Sequence, residues 1–125
     1  MLKNLEKFDT PYGQLVAISK GLEIDVKRIF YIKNVPSGET RGNHAHRKNT
    51  QILICIHGEI LVTLDDSKSK KEILLKEGQS ITVDKMVWAT QKYTTGKDIL
   101  FVLCSEEYNE DDYIRQYEQF LKEVK

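Results

Sequence analysis

Short apolar segments recur along the chain with turn-forming residues between them. Segment 15–19 follows Pro11-Tyr12-Gly13, segment 26–32 carries Val26, Ile29, Phe30, Tyr31 and Ile32, and segment 52–56 is apolar throughout and stops at His57-Gly58. Segment 60–64 runs into the polar stretch 65–71, a hairpin connection, and segments 73–75, 81–83, 87–90 and 99–103 complete the series. Strand-length runs at this spacing predict an all-β sandwich or barrel. Runs apolar on both faces predict a packed interior and an outer surface that meets another sheet or a second subunit. The period then changes. Tyr113, Ile114, Tyr117, Phe120, Leu121 and Val124 fall at helical intervals, predicting one amphipathic helix over 111–125 packed on the barrel. Asn109 is its candidate cap, and Glu110, Asp111 and Asp112 suit its positive end.

A chain of 125 residues predicts one domain, 1–125, with a single core. Lysine plus arginine and aspartate plus glutamate are equal at 19 each, so the basic excess of a nucleic-acid-binding domain is absent. The basic run 68–71 lies among turn residues and reads as a solvated hairpin tip. Segment 1–8 lacks the apolar stretch of a signal peptide, and the longest apolar runs are too short to span a bilayer. Cys55 and Cys104 sit inside such runs, as buried thiols of a reducing compartment do. The expectation is a cytoplasmic protein with no nucleic-acid or membrane partner.

The chemistry concentrates in Gly38-Glu39-Thr40-Arg41-Gly42-Asn43-His44-Ala45-His46. Histidines one residue apart on a strand share a face, and imidazole gives and takes protons near neutral pH. The pair is therefore a metal half-site, a proton-transfer site, or two ordinary strand histidines. The spacing of Gly38, His44, His46, Gln51 and Gly58 resembles the first cupin motif, in which metal-binding members carry glutamate where this chain has Gln51. The second motif, starting at Gly78, falls near Ala89 where such members place a histidine, and no histidine follows His57. Two imidazoles and an amide are a poor ligand set for zinc or iron. This predicts proton transfer without a metal, and His57 reads as a solvated turn residue.

Arg41-Gly42-Asn43-His44-Ala45-His46, Met86-Val87-Trp88, Tyr108 and Asp111-Asp112-Tyr113-Ile114-Arg115-Gln116-Tyr117 with Phe120, together with the early Tyr12-Gly13-Gln14-Leu15, resemble the dTDP-4-keto-6-deoxyglucose 3,4-ketoisomerases over nearly the full chain. The resemblance implies a cupin jelly-roll β-barrel with a short C-terminal helix. It also implies a ketone shift from C-4 to C-3 of a dTDP-linked 6-deoxyhexose without a cofactor, in a homodimer serving deoxyamino-sugar and surface-polysaccharide synthesis. It gives the general base to His46, with His44 its partner in the pocket, and matches an assisting tyrosine to Tyr31, for which barrel packing is an equal reading. Arg41 is implied to hold phosphate or brace the strand. Tyr12, Trp88 and Lys92 are implied to border the substrate, with core packing the alternative for Trp88. Members that make the galacto product have an arginine-bearing early turn and a histidine in the strand after the tryptophan. Tyr12 and Lys92 at those places imply the gluco product. A sugar-nucleotide 3,5-epimerase and a non-catalytic ligand-binding cupin remain as other readings of the same barrel.

Overall fold

The computed structural model describes residues 2–19 and 22–125. Ten strands make two five-stranded antiparallel sheets. The first runs in the order β1 (Leu2–Asn4), β9 (Gln79–Val83), β6 (Gln51–His57), β11 (Ile99–Cys104) and β4 (Arg28–Ile32). The second runs β12 (Tyr113–Ile114), β5 (Thr40–His46), β10 (Trp88–Tyr93), β7 (Glu59–Asp65) and β8 (Lys70–Lys76). From β4 to β11 every connection except the β7–β8 hairpin crosses between sheets, which is the jelly-roll arrangement. A separate hairpin joins β2 (Glu6–Thr10) to β3 (Gly13–Ala17).

Period-two alternation explains the strands that are apolar on both faces. Leu53 and Cys55 of β6 face the shared interior with Ile60, Val62, Leu100 and Val102, while Ile52 and Ile54 face outward with Leu103. The outward set is covered by Leu5, Ile18 and Ile24 of the same chain, not by a second subunit. On the other sheet, Ala45 and Ile114 are covered by Phe120 and Leu121 of helix α1 (Tyr117–Glu123). The basic run begins at the hairpin tip, where Asp66 Oδ1 accepts the Lys68 and Ser69 backbone N–H groups, and its last two residues, Lys70 and Lys71, open β8. Cys55 and Cys104 are buried and unpaired. Among the described residues, no helix is long and apolar enough to cross a membrane.

The helix predicted over 111–125 is three elements. The Asn109 side chain accepts the Asp111 N–H and starts a 3₁₀ turn, Glu110–Asp112, which ends at an extended Tyr113. Tyr113 and Ile114 then pair with His46 and Ala45, and α1 begins only at Tyr117. Ile114 and Phe120 do share a cluster, so the helical spacing was met by a strand and a helix packing on one surface. The predicted strand over 26–32 starts at Arg28, and of segment 15–19 the residues up to Ala17 belong to β3 of the β2–β3 hairpin.

Candidate active site

A bulge in β5 builds the site. Arg41 pairs with Gln91 and His44 with Ala89, although Arg41 and His44 are three residues apart and their partners two. Gly42 (φ 93) and Asn43 (φ 56) absorb the extra residue in left-handed backbone, so both Arg41 and His44 turn inward. A Cβ on Gly42 would stand 2.8 Å from the Ala89 carbonyl oxygen and 3.0 Å from Gln91 Oε1, which excludes any other residue without a shift of the strands. His46, two residues beyond His44, shares its face.

The two imidazoles meet edge to face, with ring centroids 4.9 Å apart. The Tyr113 ring lies over both, at 5.0 Å from His44 and 4.4 Å from His46. Each histidine has its Nδ1 against an acceptor: the Gly42 carbonyl at 3.1 Å for His44, and Asp112 Oδ2 at 3.1 Å for His46. Acceptors at both positions require Nδ1–H, leaving each Nε2 as a lone pair. Burial, and then the neighbouring His46, lowers His44 to about 4. Burial also lowers His46, outweighing the hydrogen bond and charge of Asp112 that act to raise it. Both rings are therefore neutral at physiological pH, and the His46–Asp112 contact is a neutral imidazole on a carboxylate.

His44 stands on the wall of a cavity of about 620 Å³, within the range of small-ligand sites. Phe30, Leu53, Leu100 and Val102 give it an apolar floor, and Gln51, Gln91 and Tyr113 add polar groups. Among the described residues its charged lining is Arg28, Arg41 and Arg115, so a chain of zero net charge presents a cationic cavity. The guanidinium of Arg28 lies 4.7 Å from the centre of the Phe30 ring and that of Arg115 lies 4.3 Å from the centre of Tyr113. Glu110 grips Arg115 at 2.8 and 3.0 Å, and Arg115 with Tyr108 holds the Glu110 carboxyl down to about 2. Such planar, pre-oriented guanidinium groups suit a diphosphate.

Of the residues singled out in the sequence, Arg41 and His44 line this cavity. His46 lies behind it, 4 % exposed, under Tyr113. Tyr31 is at the rim, but its ring belongs to the outer face of β4 and is 60 % exposed, whereas Phe30 and Ile32 pack inward. The phenol beside the histidines is Tyr113. Trp88 packs outside the barrel against Tyr117 at 5.3 Å and Phe120 at 5.8 Å, so it is core and not pocket lining. Lys92 is exposed on the outer face of β10, and the alternation brings its neighbour Gln91 into the cavity instead. Tyr12 is 99 % exposed at the tip of the β2–β3 hairpin, away from the cavity wall. His57 is exposed and meets Glu77 at 3.1 Å.

The residues do not fit a cupin metal. Gln51 offers an amide, Ala89 stands opposite His44, and the described residues contain no group of three histidine, cysteine or carboxylate side chains able to hold an ion.

Over residues 1–125 the chain matches the family model described as "FdtA: WxcM-like, C-terminal". A TDP-4-oxo-6-deoxy-α-D-glucose-3,4-oxoisomerase of Aneurinibacillus thermoaerophilus is 37% identical over 124 residues, covering 97% of this chain and 89% of the relative. A 3,4-ketoisomerase from Helicobacter canadensis superposes with a TM-score of 0.94 at 31% identity, covering 99% of this chain and 96% of its own. QdtA, a sugar 3,4-ketoisomerase from Thermoanaerobacterium thermosaccharolyticum solved with TDP, superposes with a TM-score of 0.91 at 34% identity, covering 99% and 93%. A histidine-to-asparagine variant of QdtA has been solved with TDP-4-keto-6-deoxyglucose.

Proposed function

The chain belongs to the FdtA family of WxcM-like C-terminal domains and is a TDP-sugar 3,4-ketoisomerase; from this we propose that it converts TDP-4-keto-6-deoxyglucose to the 3-keto-6-deoxy sugar by histidine acid/base chemistry, with His46 as the base and His44 its partner. The observation that carries the reading is the histidine pair on one face of β5, with His44 on the wall of an arginine-lined cavity and the His46 ring against it. His46 lies beside His44 under Tyr113 and keeps the role that the resemblance gives it.

Arg28, Arg41 and Arg115 hold the diphosphate and bring the hexose to the barrel interior. The C-4 carbonyl acidifies H-3, and His46 takes that proton to give an enediol, with His44 beside it in the pocket. The hydroxyl proton passes from O-3 to O-4 and a proton is delivered to C-4, so the carbonyl moves to C-3 with no change in atoms or electrons. No step is routed through a metal or redox cofactor. The gluco product is our reading, with the 3-ketone ready for conversion to a 3-amino sugar of a surface polysaccharide. The unpaired state of Cys55 and Cys104 supports a cytoplasmic setting.

The test is NMR of TDP-4-keto-6-deoxyglucose with chelator-treated protein in D₂O. The expected result is loss of the C-3 proton signal, deuterium at C-4 and a new ketone at C-3. Exchange at C-5 would identify an epimerase, and binding without any exchange would identify a non-catalytic cupin.

We also propose a homodimer. Phe8 and Leu15 on the hairpin and Ile29 and Tyr31 on the edge strand β4 are each more than half exposed, and a second copy covers them. Sedimentation equilibrium at micromolar concentration is expected to give twice the 14.5 kDa chain mass, and a monomer would overturn this.

A further inference from the structure

Arg47 follows β5 directly and binds three successive carbonyls of the segment that leads into β12. Its backbone N–H donates to the Asp112 carbonyl at 2.9 Å, and its Nη1 donates to the Asp111 carbonyl and, at 3.3 Å, to the Tyr113 carbonyl. The rest of the guanidinium turns to α1. Nε and Nη2 donate to the two carboxylate oxygens of Glu123, each at 2.8 Å, and these bonds hold that carboxyl down to about 2. A bidentate bridge of this kind fixes the plane of the guanidinium. Docking α1 does not account for the Nη1 bonds, because Phe120 and Leu121 already pack the helix on Ala45 and Ile114. What those bonds hold is short: β12 has two residues and adds the pairs Tyr113–His46 and Ile114–Ala45 to the edge of its sheet.

We propose that Arg47 is a positioning residue of the isomerisation: by gripping the 111–113 carbonyls it seats the Tyr113 ring on the histidine pair and so fixes both imidazoles beside the cavity. The inference rests on His46 and His44 as the acid/base groups. The Tyr113 ring meets both, with its centroid 4.4 Å from that of His46 and 5.0 Å from that of His44, and it lines the cavity itself. The Asp112 carboxylate anchors the preceding turn on the Lys48 and Asn49 N–H groups, one residue short of Tyr113. Among the described residues, Arg47 is the side chain bonded to the Tyr113 carbonyl. It therefore holds the pair from two sides, as the chain neighbour of His46 and as the anchor of the ring that covers it. A misplacement of about 1 Å at reacting groups costs up to ~10²-fold in rate.

Arg47→Met and Glu123→Gln separate the two halves of the clamp. Glu123→Gln keeps an acceptor for Arg47 Nε, so it is expected to lower Tm while kcat stays within about twofold of wild type. Trp88 packs on Tyr117 and Phe120 of α1, and its fluorescence reports whether the helix is still docked. Under conditions where it is, Arg47→Met is expected to lower kcat ~10-fold with KM little changed. Imidazole ¹H–¹³C spectra read the placement itself. The ring-current shifts that Tyr113 imposes on His44 and His46 are expected to persist in Glu123→Gln and to shrink in Arg47→Met. Equal loss of kcat in the two variants, a loss that falls on KM, or unchanged histidine shifts in Arg47→Met assigns Arg47 to helix docking alone and overturns the proposal. Should Arg47→Met not fold, Arg47→Lys decides: its ammonium keeps the charge beside Glu123 without spanning the carbonyls, and wild-type kcat and histidine shifts in that variant overturn the proposal. A wild-type protein inactive on TDP-4-keto-6-deoxyglucose would refute the ketoisomerase reading, while the histidine shifts would still show whether Arg47 places Tyr113.

Discussion

His46→Asn is expected to lower turnover of TDP-4-keto-6-deoxyglucose by ~10³-fold, within the range for losing a well-placed general base, while TDP still binds. The asparagine amide can keep a hydrogen bond to Asp112, so the loop held by that carboxylate and the fold should persist. What is lost is one imidazole of the pair. The pH profile gives the pair a second signature. Burial lowers both rings, His44 to about 4 and His46 below the ordinary imidazole value, so kcat/KM should hold on acidification past about pH 6.5, the ordinary imidazole range, and fall only as the pair takes a proton. An activity that falls away near pH 6.5 would assign proton abstraction to a group outside the pair. Turnover of His46→Asn within about tenfold of wild type would remove it from the role altogether.

Much of this site was legible because its geometry is local. His44, Ala45 and His46 share one strand, so period two alone places both rings on one face. The bulge was not legible. Reading Arg41 and His44 as alternating strand residues puts them on opposite faces, and only their pairing with Gln91 and Ala89 shows that both turn inward. Lys92 and Tyr31 each stand one residue from an inward neighbour, Gln91 and Phe30 or Ile32, and a single residue of register exchanges the two faces of a strand. Asp112, Tyr113 and Arg115 belong to the motif that carries the resemblance, yet their spacing gives them no place in the site. They lie in a segment whose apolar spacing fits a helix, and a helical reading gives no cause to place Tyr113 opposite His46. The strand β12 exists because β5 offers it an edge, a tertiary fact that overrides local spacing. Arg28 opens the apolar run of β4, and only its alternation with Phe30 and Ile32 marks it as an inward residue.

The product is expected to be the gluco isomer, TDP-3-keto-6-deoxyglucose. In a 6-deoxyhexose of gluco configuration H-3 and H-4 lie on opposite faces of the ring, whereas in the galacto isomer they share a face. Galacto formation therefore needs an acid that delivers a proton to C-4 from the side on which H-3 left. The resemblance to the ketoisomerases implies that galacto producers carry a histidine in the strand after the tryptophan. In this chain that strand is β10, whose inward residues are Ala89, Gln91 and Tyr93. Gln91 is the one of these on the cavity wall, and an amide has no proton to give at neutral pH. Lys92 faces outward and Gln91 inward, and neither is a histidine: same-face delivery lacks its acid, and the proton reaches C-4 from the other face. Trapping the product with a 3-aminotransferase and measuring proton couplings decides the matter. Large diaxial H-3/H-4 and H-4/H-5 couplings are the expected result. A small H-4/H-5 coupling would mean an equatorial H-4, a galacto product and a proton donor on the H-3 face other than a β10 histidine.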